Sequence, residues 1–344
     1  MQLSIHPEEA VRQLYAALPN KRTRDIVDLR FGLGKKEKYT TLEAIGNKYG
    51  ITRERVRQIE ADALARIRKS PAAQALEGLF QEIERYFDVS GGVVKETLAL
   101  EALAPQSKYQ NCVHFLLHVH HGALTHAHED DVFHSRWIHR ATTEDKATRT
   151  LAHAIEELRH KGQPVSEPQF YEILGSSARA VTGITPPHAV LANWTSISKL
   201  LAKNYFNEWG LVEFPTIKPR GIRDLSYLVM SKVHKPMHFV EVARAIGDLV
   251  KKRAHVQTVH NELIKDNRFV LVGRGLYALR EWGYEEGTVC ETINRILQER
   301  GSLPKENIIE SVLARRFVKP NTIMVNLDNR KYFRKLQDGR YTLA

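Results

Sequence analysis

The chain has 344 residues, 42% hydrophobic and 26% charged, which predicts two large domains or several small ones. Its 51 Lys and Arg outnumber 40 Asp and Glu, so a formal charge of +11 favours polyanionic partners such as nucleic acid. Two cysteines without metal-ligand spacing argue against a disulfide framework and a zinc finger, and neither a secretory leader nor a membrane-length apolar run is found. We therefore expect a protein of a reducing compartment that is neither exported nor bound to a membrane.

Two helices are predicted at the start of the chain. Residues 8–30 place apolar side chains at helical spacing, and Pro19 marks a break between the two helices. Gly32 and Gly34 then supply a stop, and the polar run KKEKYT over residues 35–40 is predicted as a loop. This pair of helices precedes a second pair.

The second pair of helices is joined by a tight turn. Thr41 stands where a cap would start a helix through Tyr49, and Gly50 ends that helix. Thr52 begins the next helix, whose apolar positions line one face. Those positions are Val56, Ile59, Ala63 and Ile67. Two helices around a glycine turn, with charged residues at the start of the second, indicate a helix-turn-helix that presents side chains to the major groove of DNA.

The residues of this helix-turn-helix are specific to one family. The run TLEAIGNKYGITRERVRQIEADALARIR, preceded by RDIVDLRFGL, resembles region 4 of the sigma-70-type factors of bacterial RNA polymerase. The resemblance covers residues 8–69. It implies that residues 1–70 form a domain that binds double-stranded DNA at a −35-type promoter element and docks on the β flap of RNA polymerase.

The resemblance also implies roles for individual residues. Those that match the family's base readers, or lie beside them, are Arg53, Glu54, Arg57 and Gln58. Arginine can bond guanine, glutamate can accept from cytosine and glutamine can bond adenine. Thr41, Leu42 and Arg55 are expected at the phosphate backbone. The alternative is a solvated helix face, but residues 21–69 hold 14 Lys and Arg against 7 Asp and Glu, so most of the positive charge lies here.

A repeat with a period of 63–64 residues follows. Residues 258–279 align without a gap with residues 322–343, and an earlier copy is predicted to begin at Thr195, with Phe206 at the position of Phe269. Each copy reads as three helices and two strands, the pattern of a winged helix. Glycine turns join the strands, and Asp338-Gly339 is predicted as a two-residue hairpin turn.

The copy at residues 218–284 can be named more narrowly. The run KPMHFVEVARAI, followed by TVHNELIKDNRFVLVGRGLYALREWGY, resembles the HARE-type winged helix. That resemblance implies a contact with nucleic acid or with polymerase. The residues expected at DNA phosphates are Lys251, Lys252, Arg253, Arg268 and Arg274. A solvated basic edge is the alternative interpretation.

Residues 71–141 fit the winged-helix plan less well. Helices are predicted over residues 75–87, 91–104 and 111–121, so we expect a degenerate winged-helix-like helical domain. The predicted fold class is mainly α, a helix-turn-helix domain followed by tandem winged-helix repeats of three helices plus a β-hairpin. The predicted domains are residues 1–70, 71–141, 145–215, 218–284 and 286–344.

Eight of the 16 histidines lie between His114 and His139, and His114, His118 and His121 have the spacing of metal ligands on a helix. No cysteine or HExxH motif accompanies them, so we expect surface or partly buried histidines and no metal. No catalytic Ser/His/Asp set, acidic pair or nucleotide-binding loop stands out. Neither a cofactor nor enzymatic activity is predicted.

The sequence therefore predicts a DNA-binding transcription regulator, cytoplasmic and nucleoid-associated, that selects a promoter-type site and contacts RNA polymerase. We expect it to lack the module that melts promoter DNA. One alternative is an accessory subunit of RNA polymerase resembling delta. A less favoured alternative, suggested by where HARE modules occur, is a DNA-repair or restriction component.

Overall fold

The computed structural model describes residues 3–33, 39–120 and 124–344. Gly34, residues 35–38 of the predicted loop and His121 lie outside the described residues. The chain divides into two compact units, the first made of Met1–Ala202 and Trp209–Val212 and the second of Lys203–Glu208 and Glu213–Ala344. Within the described residues, no helix combines the length and the apolar character needed to cross a membrane.

The first unit begins with the helix-turn-helix module. Its helices are α1 (Pro7–Leu14), α2 (Lys21–Phe31), α3 (Leu42–Tyr49), α4 (Arg53–Arg68) and α5 (Pro71–Ala75). The predicted break at Pro19 is confirmed, and the Asn20 side chain caps α2 by accepting from the Thr23 amide at 2.9 Å. Gly32 ends α2 in the left-handed conformation, as predicted.

A complete winged helix follows, which we call WH1. Its elements are α6 (Glu77–Val89), β1 (Val93–Lys95), α7 (Glu96–Leu103), α8 (Gln110–Val119), β2 (Leu124–Ala127) and β3 (Arg136–His139). The three strands are antiparallel in the order β1-β3-β2. The helix predicted over residues 91–104 is therefore wrong at its start, where Val93 and Val94 pair with Ile138 and Trp137.

The second winged helix, WH2, belongs to the first unit except for Lys203–Glu208. Its elements are α9 (Ala141–Lys161), α10 (Glu167–Thr182), α11 (His188–Ile197), β4 (Leu201–Lys203) and β5 (Trp209–Leu211). A single bridge between Val165 and Trp209 stands where WH1 has its first strand. The predicted alignment of this copy is wrong, because Thr195 lies near the end of the third helix and Phe206 lies between the strands.

The second unit begins with WH3, which repeats the topology of WH1. Its elements are α12 (Ile222–Val233), β6 (Met237–His238), α13 (Phe239–Val250), α14 (Val256–Lys265), β7 (Phe269–Gly273) and β8 (Leu276–Leu279). The sheet order is β6-β8-β7. Gly275 turns the hairpin at φ +69°, where a Cβ would lie 2.5 Å from His238 Nε2.

The fourth winged helix, WH4, has a two-stranded sheet like that of WH2. Its elements are α15 (Val289–Arg300), α16 (Lys305–Arg315), α17 (Pro320–Leu327), β9 (Phe333–Lys335) and β10 (Tyr341–Leu343), with one bridge between Leu303 and Tyr341. The predicted two-residue turn is wrong. The Leu336 amide donates to the Arg340 carbonyl at 2.7 Å, which leaves a three-residue loop with Gly339 at φ +85°. The predicted fold class, a mainly α chain of helix-turn-helix and winged helices, is confirmed.

Candidate nucleic-acid interface

The turn between α3 and α4 sets the direction of the second helix. Gly46 approaches this turn so closely that a Cβ there would lie 2.6 Å from the carbonyl oxygen of Ile51. The Ile51 amide donates to the Gly46 carbonyl at 3.0 Å, and Gly50 adopts φ +64°, which favours glycine. The Thr52 hydroxyl then accepts from the Arg55 amide at 3.2 Å and caps α4, as predicted.

A small separate core holds the helix-turn-helix together. Ile26 of α2, Ile45 of α3 and Val56 of α4 are fully buried against one another. Thr41 caps α3 by accepting from the Ala44 amide at 3.2 Å, and Leu42 packs partly buried on the same core. Three helices are therefore fixed by short apolar side chains, and the opposite side of α4 is left free.

The free side of α4 carries the residues predicted to read bases. Arg53, Glu54, Arg57 and Gln58 are all exposed. At about 100° per residue, these four positions span about 140° of the helix circumference, so they form one face. Arg55 is also exposed and lies at the edge of this face, the placement expected for a phosphate contact.

Hydrogen bonds organise the exposed face of α4. Arg57 donates from Nε to both carboxylate oxygens of Glu54, at 3.1 and 3.0 Å, and from Nη2 at 2.7 Å. These hydrogen bonds hold the pKa of Glu54 below its ordinary value. Arg55 Nη1 donates to Gln58 Oε1 at 3.1 Å. Glu54 and Arg57 are therefore paired along the face, and Arg55 is held by the neutral Gln58.

Two cations near the turn were missed by the sequence reasoning. Arg22 of α2 donates to the Tyr49 carbonyl at 3.3 Å and lies 5.5 Å from the Tyr49 ring centroid, while Lys48 Nζ lies 5.2 Å from the same ring. Both are exposed. Lys48 could have been found from the sequence, because it stands beside an aromatic residue, Tyr49, that precedes the turn glycine Gly50. Arg22 is distant in sequence and had no local signal.

The other side of the helix-turn-helix is joined to WH1. Arg68, the last residue of α4, donates to the carbonyls of His118 and Val119 at the end of α8, at 2.7 and 3.0 Å. Asn111 of α8 donates to the Gly32 carbonyl at 3.0 Å. Apolar residues of α1, α2, α4 and α8 belong to one continuous core. The third helix of WH1 therefore packs inside the first unit.

The third helix of WH2 is also an internal element of the first unit. Trp194 Nε1 donates to the Gly91 carbonyl at 2.9 Å, and Asn193 Nδ2 donates to the carbonyls of Ser90 and Val93 at 2.6 and 2.8 Å. These contacts attach α11 to the start of the WH1 sheet. Neither α8 nor α11 presents a free face of the kind that α4 presents.

The predicted histidine cluster lies largely in the interior of WH1. His126 Nε2 is 2.6 Å from Glu96 Oε2, and His114 Nε2 is 3.8 Å from the same oxygen. Burial lowers the pKa of His114 to about 4 and that of His118 to about 3. Within residues 3–33, 39–120 and 124–344, no three histidine, cysteine or acidic side chains are arranged to hold a metal ion.

The turn between α13 and α14 of WH3 resembles the turn between α3 and α4. The Lys252 amide donates to the Gly247 carbonyl at 3.2 Å, five residues apart as in Gly46 and Ile51, and Lys251 ends α13 in the left-handed conformation at φ +52°. The helix after this turn, α14, exposes three uncharged polar side chains. They are Gln257, Thr258 and Asn261.

The cations predicted in WH3 fall into two groups. Lys251, Lys252 and Arg253 before α14, and Arg274 in the hairpin turn, are exposed. Arg268 is different, because its Nη2 lies 2.6 Å from Asp266 and 2.8 Å from Asp224. Its guanidinium also lies 4.9 Å from the Tyr227 ring, and the hydrogen bonds to Asp266 and Asp224 raise its pKa. The charge of Arg268 is thus compensated inside WH3.

Comparisons with known proteins address the first module. Residues 20–69 match the family described as sigma-70, region 4. The RNA polymerase sigma factor RpoS of Coxiella burnetii is 44% identical over 82 residues, which are 24% of this chain and 21% of that protein. The RNA polymerase sigma factor RpoD of Helicobacter pylori is 47% identical over 49 residues, which are 14% of this chain and 7% of that protein. Residues 20–69 are therefore a sigma-70 region 4 segment, from a family of non-enzymatic, DNA-binding helix-turn-helix domains.

Proposed function

We propose that this chain is a sequence-specific transcription regulator that reads a −35-type promoter element with α4. The proposal gives base-reading roles to Arg53, Glu54, Arg57 and Gln58. Thr41, Leu42 and Arg55 are assigned to the phosphate backbone. The observation that carries it is a region 4 match whose four candidate readers share one exposed helix face.

We also propose that the chain binds promoter DNA without melting it. Residues 77–343 are occupied by four winged-helix units, which suit contacts with duplex DNA or protein. The five domains predicted from the sequence, including a HARE-type unit at 218–284, remain part of the proposal. Lys251, Lys252, Arg253 and Arg274 are its candidate phosphate contacts in WH3, while Arg268 contributes least because two carboxylates compensate its charge. We place the protein in the cytoplasm, at the nucleoid.

A contact with RNA polymerase through its β flap is the second part of the proposal, because the curated relatives are polymerase sigma factors. The burial of α8 and α11 also favours a second candidate function, an accessory subunit that uses WH1 and WH2 as scaffold. Both candidates predict co-purification with polymerase after nuclease treatment, so the promoter preference of the retained chain separates the two. Retention on polymerase without any promoter preference would favour the accessory subunit.

The test of base reading is selection from random duplex DNA, followed by binding measurements on the selected site. Arg53→Ala and Gln58→Ala are each expected to cost about 1–3 kcal/mol on that site, with little change on unrelated DNA. Arg149→Ala removes an exposed cation from α9 and serves as the matched control. Equal losses on selected and unrelated DNA would contradict base reading by α4.

A further inference from the structure

A group of cations on WH4 is left unassigned by the function proposed above. Its members, which we call the C-terminal basic cluster, are Lys319, Arg330, Lys331, Arg334 and Lys335. All are exposed, and none forms an ion pair with a carboxylate within the part of the chain that the structure describes. Residues 319–340 hold six Lys and Arg against two Asp, and Asp338 pairs with Arg340 at 2.6 Å. The cluster is therefore positive and uncompensated.

WH3 shows what the same positions hold in another copy of the fold. Phe269 pairs with Leu279 in WH3, and Phe333 pairs with Leu343 in WH4, so the two hairpins have the same register. At this offset of 64 residues, four residues of the cluster can be compared with WH3, and none of the matching WH3 residues is a cation. The four are Arg330, Lys331, Arg334 and Lys335. The matching WH3 residues are Asp266, Asn267, Val270 and Leu271. The cations are thus a feature of WH4, and the shared fold does not require them.

A solvated edge is the simplest alternative explanation of the cluster. Such edges usually mix both signs of charge, because unpaired like charges repel one another. The cluster instead places five cations around one helix and one strand, with Lys331 Nζ 5.5 Å from the ring of the exposed Tyr332. A polyanion would relieve the repulsion and release counterions. The excess of positive charge therefore favours a polyanionic ligand.

The helix next to the cluster has a face suited to base edges. Ile323 and Leu327 of α17 are buried in the WH4 core, which leaves Asn321, Thr322 and Val325 exposed. Val325 is 72% exposed, an unusual position for a large apolar side chain. Asparagine can bond adenine, a threonine hydroxyl can bond several bases, and a branched methyl group can contact the thymine methyl. This face matches duplex DNA better than an unstructured polyanion.

We propose that WH4 is a second duplex-DNA-binding site, with α17 in the major groove and the C-terminal basic cluster on the adjacent phosphate backbone. This inference rests on the proposed function, since it adds a second contact to a DNA-binding chain. In a winged helix that binds DNA through an exposed third helix, this helix enters the groove and the hairpin lies along the backbone, so one docking position brings both surfaces of WH4 to DNA. The two sites together lengthen the footprint of the chain.

The test is the salt dependence of binding of the full chain to duplex DNA. A variant combining Arg330→Gln, Lys331→Gln, Arg334→Gln and Lys335→Gln is expected to lower the slope of log K against log salt by about 3–4, at about 0.9 per phosphate. The control removes four exposed cations of the first unit, Arg12, Lys146, Arg149 and Lys161, also by glutamine. Circular dichroism checks that both variants fold.

An unchanged slope in the folded variant would overturn the inference. A loss seen on single-stranded RNA and absent on duplex DNA would assign the cluster to RNA and would also overturn it. Parallel measurements on Arg53→Ala and Gln58→Ala separate this inference from the proposed function. If Arg53→Ala and Gln58→Ala abolish sequence preference while the WH4 variant keeps its salt slope, the inference about WH4 is wrong and the proposed function stands. If only the WH4 slope falls, base reading by α4 fails.

The role of α17 has its own readout. Asn321→Ala with Thr322→Ala is expected to remove a second protected segment from the footprint, while protection at the α4 site is retained. These side chains are exposed, so the substitutions leave the WH4 core intact. A footprint identical to that of the unmodified chain would remove α17 from the site.

Discussion

The helices α8 and α14 occupy the same place in the same topology and have opposite surroundings. In WH1, the third helix is α8, and its Phe115, Leu116 and Leu117 have no exposed surface. In WH3, the third helix is α14, and its Gln257 and Asn261 are exposed. The sheet orders around them are equivalent. A winged-helix topology therefore does not identify a DNA-binding helix.

The side chains of the third helix account for the difference. A helix that is apolar on most sides is buried in a core, whereas an amphipathic helix keeps one side in solvent. In α8 the apolar residues surround the helix and join the core beneath the helix-turn-helix. In α14 only Val259 and Leu263 are buried. The comparison predicts that substitutions in α8 affect folding and that substitutions in α14 affect binding.

The largest expected effect is on the folding of the first unit. Phe115→Ala should lower the free energy of unfolding by about 3–5 kcal/mol, because the ring is fully buried and lies 5.2 Å from Phe31. Asn261→Ala in α14 should change it by less than about 0.5 kcal/mol. Urea unfolding followed by near-ultraviolet circular dichroism measures both. Similar losses in the two variants would remove the distinction between the helices.

Acid should weaken the first unit through α8. The pKa of His114 is lowered to about 4 and that of His118 to about 3, from 6.5 when unfolded. Above pH 6.5 both histidines are neutral in the folded chain and in the unfolded chain, so they do not lower the free energy of unfolding. As the pH falls toward 4, the unfolded chain binds protons that the fold excludes, so stability drops by about 1.4 kcal/mol per pH unit for each histidine.

Unfolding measured between pH 7 and pH 4 checks this dependence. His118→Phe should reduce the slope of stability against pH, because one of the excluded protons is removed. His160→Phe is the matched control, since the His160 side chain is 80% exposed and should leave the slope unchanged. If stability is level across this range, the two buried histidines do not control acid unfolding.

A smaller effect should distinguish two arginines of WH3. Arg268→Gln should destabilise WH3 by about 1–3 kcal/mol, because it leaves Asp224, itself only 10% exposed, without its charged partner. Arg274→Gln should leave stability unchanged and lower the salt slope of DNA binding by about 0.9. Thermal unfolding and a salt titration are compared for the two variants. A salt slope lowered only by Arg268→Gln would reverse the assignment.

The helix-turn-helix could be predicted nearly completely because its determinants are local. The caps Thr41 and Thr52 and the turn glycine Gly50 each act within a few residues. Strand β1 could not be predicted, because Val93 and Val94 become a strand only by pairing with residues more than 40 positions later. The WH2 alignment failed for a related reason. Both copies contain the residues Glu-Trp-Gly, but Trp209 and Gly210 of WH2 lie on a strand, whereas Trp282 of WH3 follows a strand.

The candidate sites show the same division. The exposed face of α4 followed from helical periodicity, whereas the compensation of Arg268 comes from the nearby Asp266 and also from Asp224, 44 residues earlier in the chain. The burial of α8 depends on contacts with the helix-turn-helix module, which its sequence spacing does not report. Contacts between distant elements decided which predicted cations stay free.

The hydrogen bonds of Arg68 have a consequence for any partner of WH1. They join the end of α4 to the end of α8, so WH1 is attached directly to the helix-turn-helix. Its position therefore does not depend on the length of a flexible linker. A −35-type element has a direction along the DNA, and α4 bound to it as proposed would take one orientation. WH1 would then point one way along the promoter, and a protein that recognises WH1 would be placed on a defined side of the element.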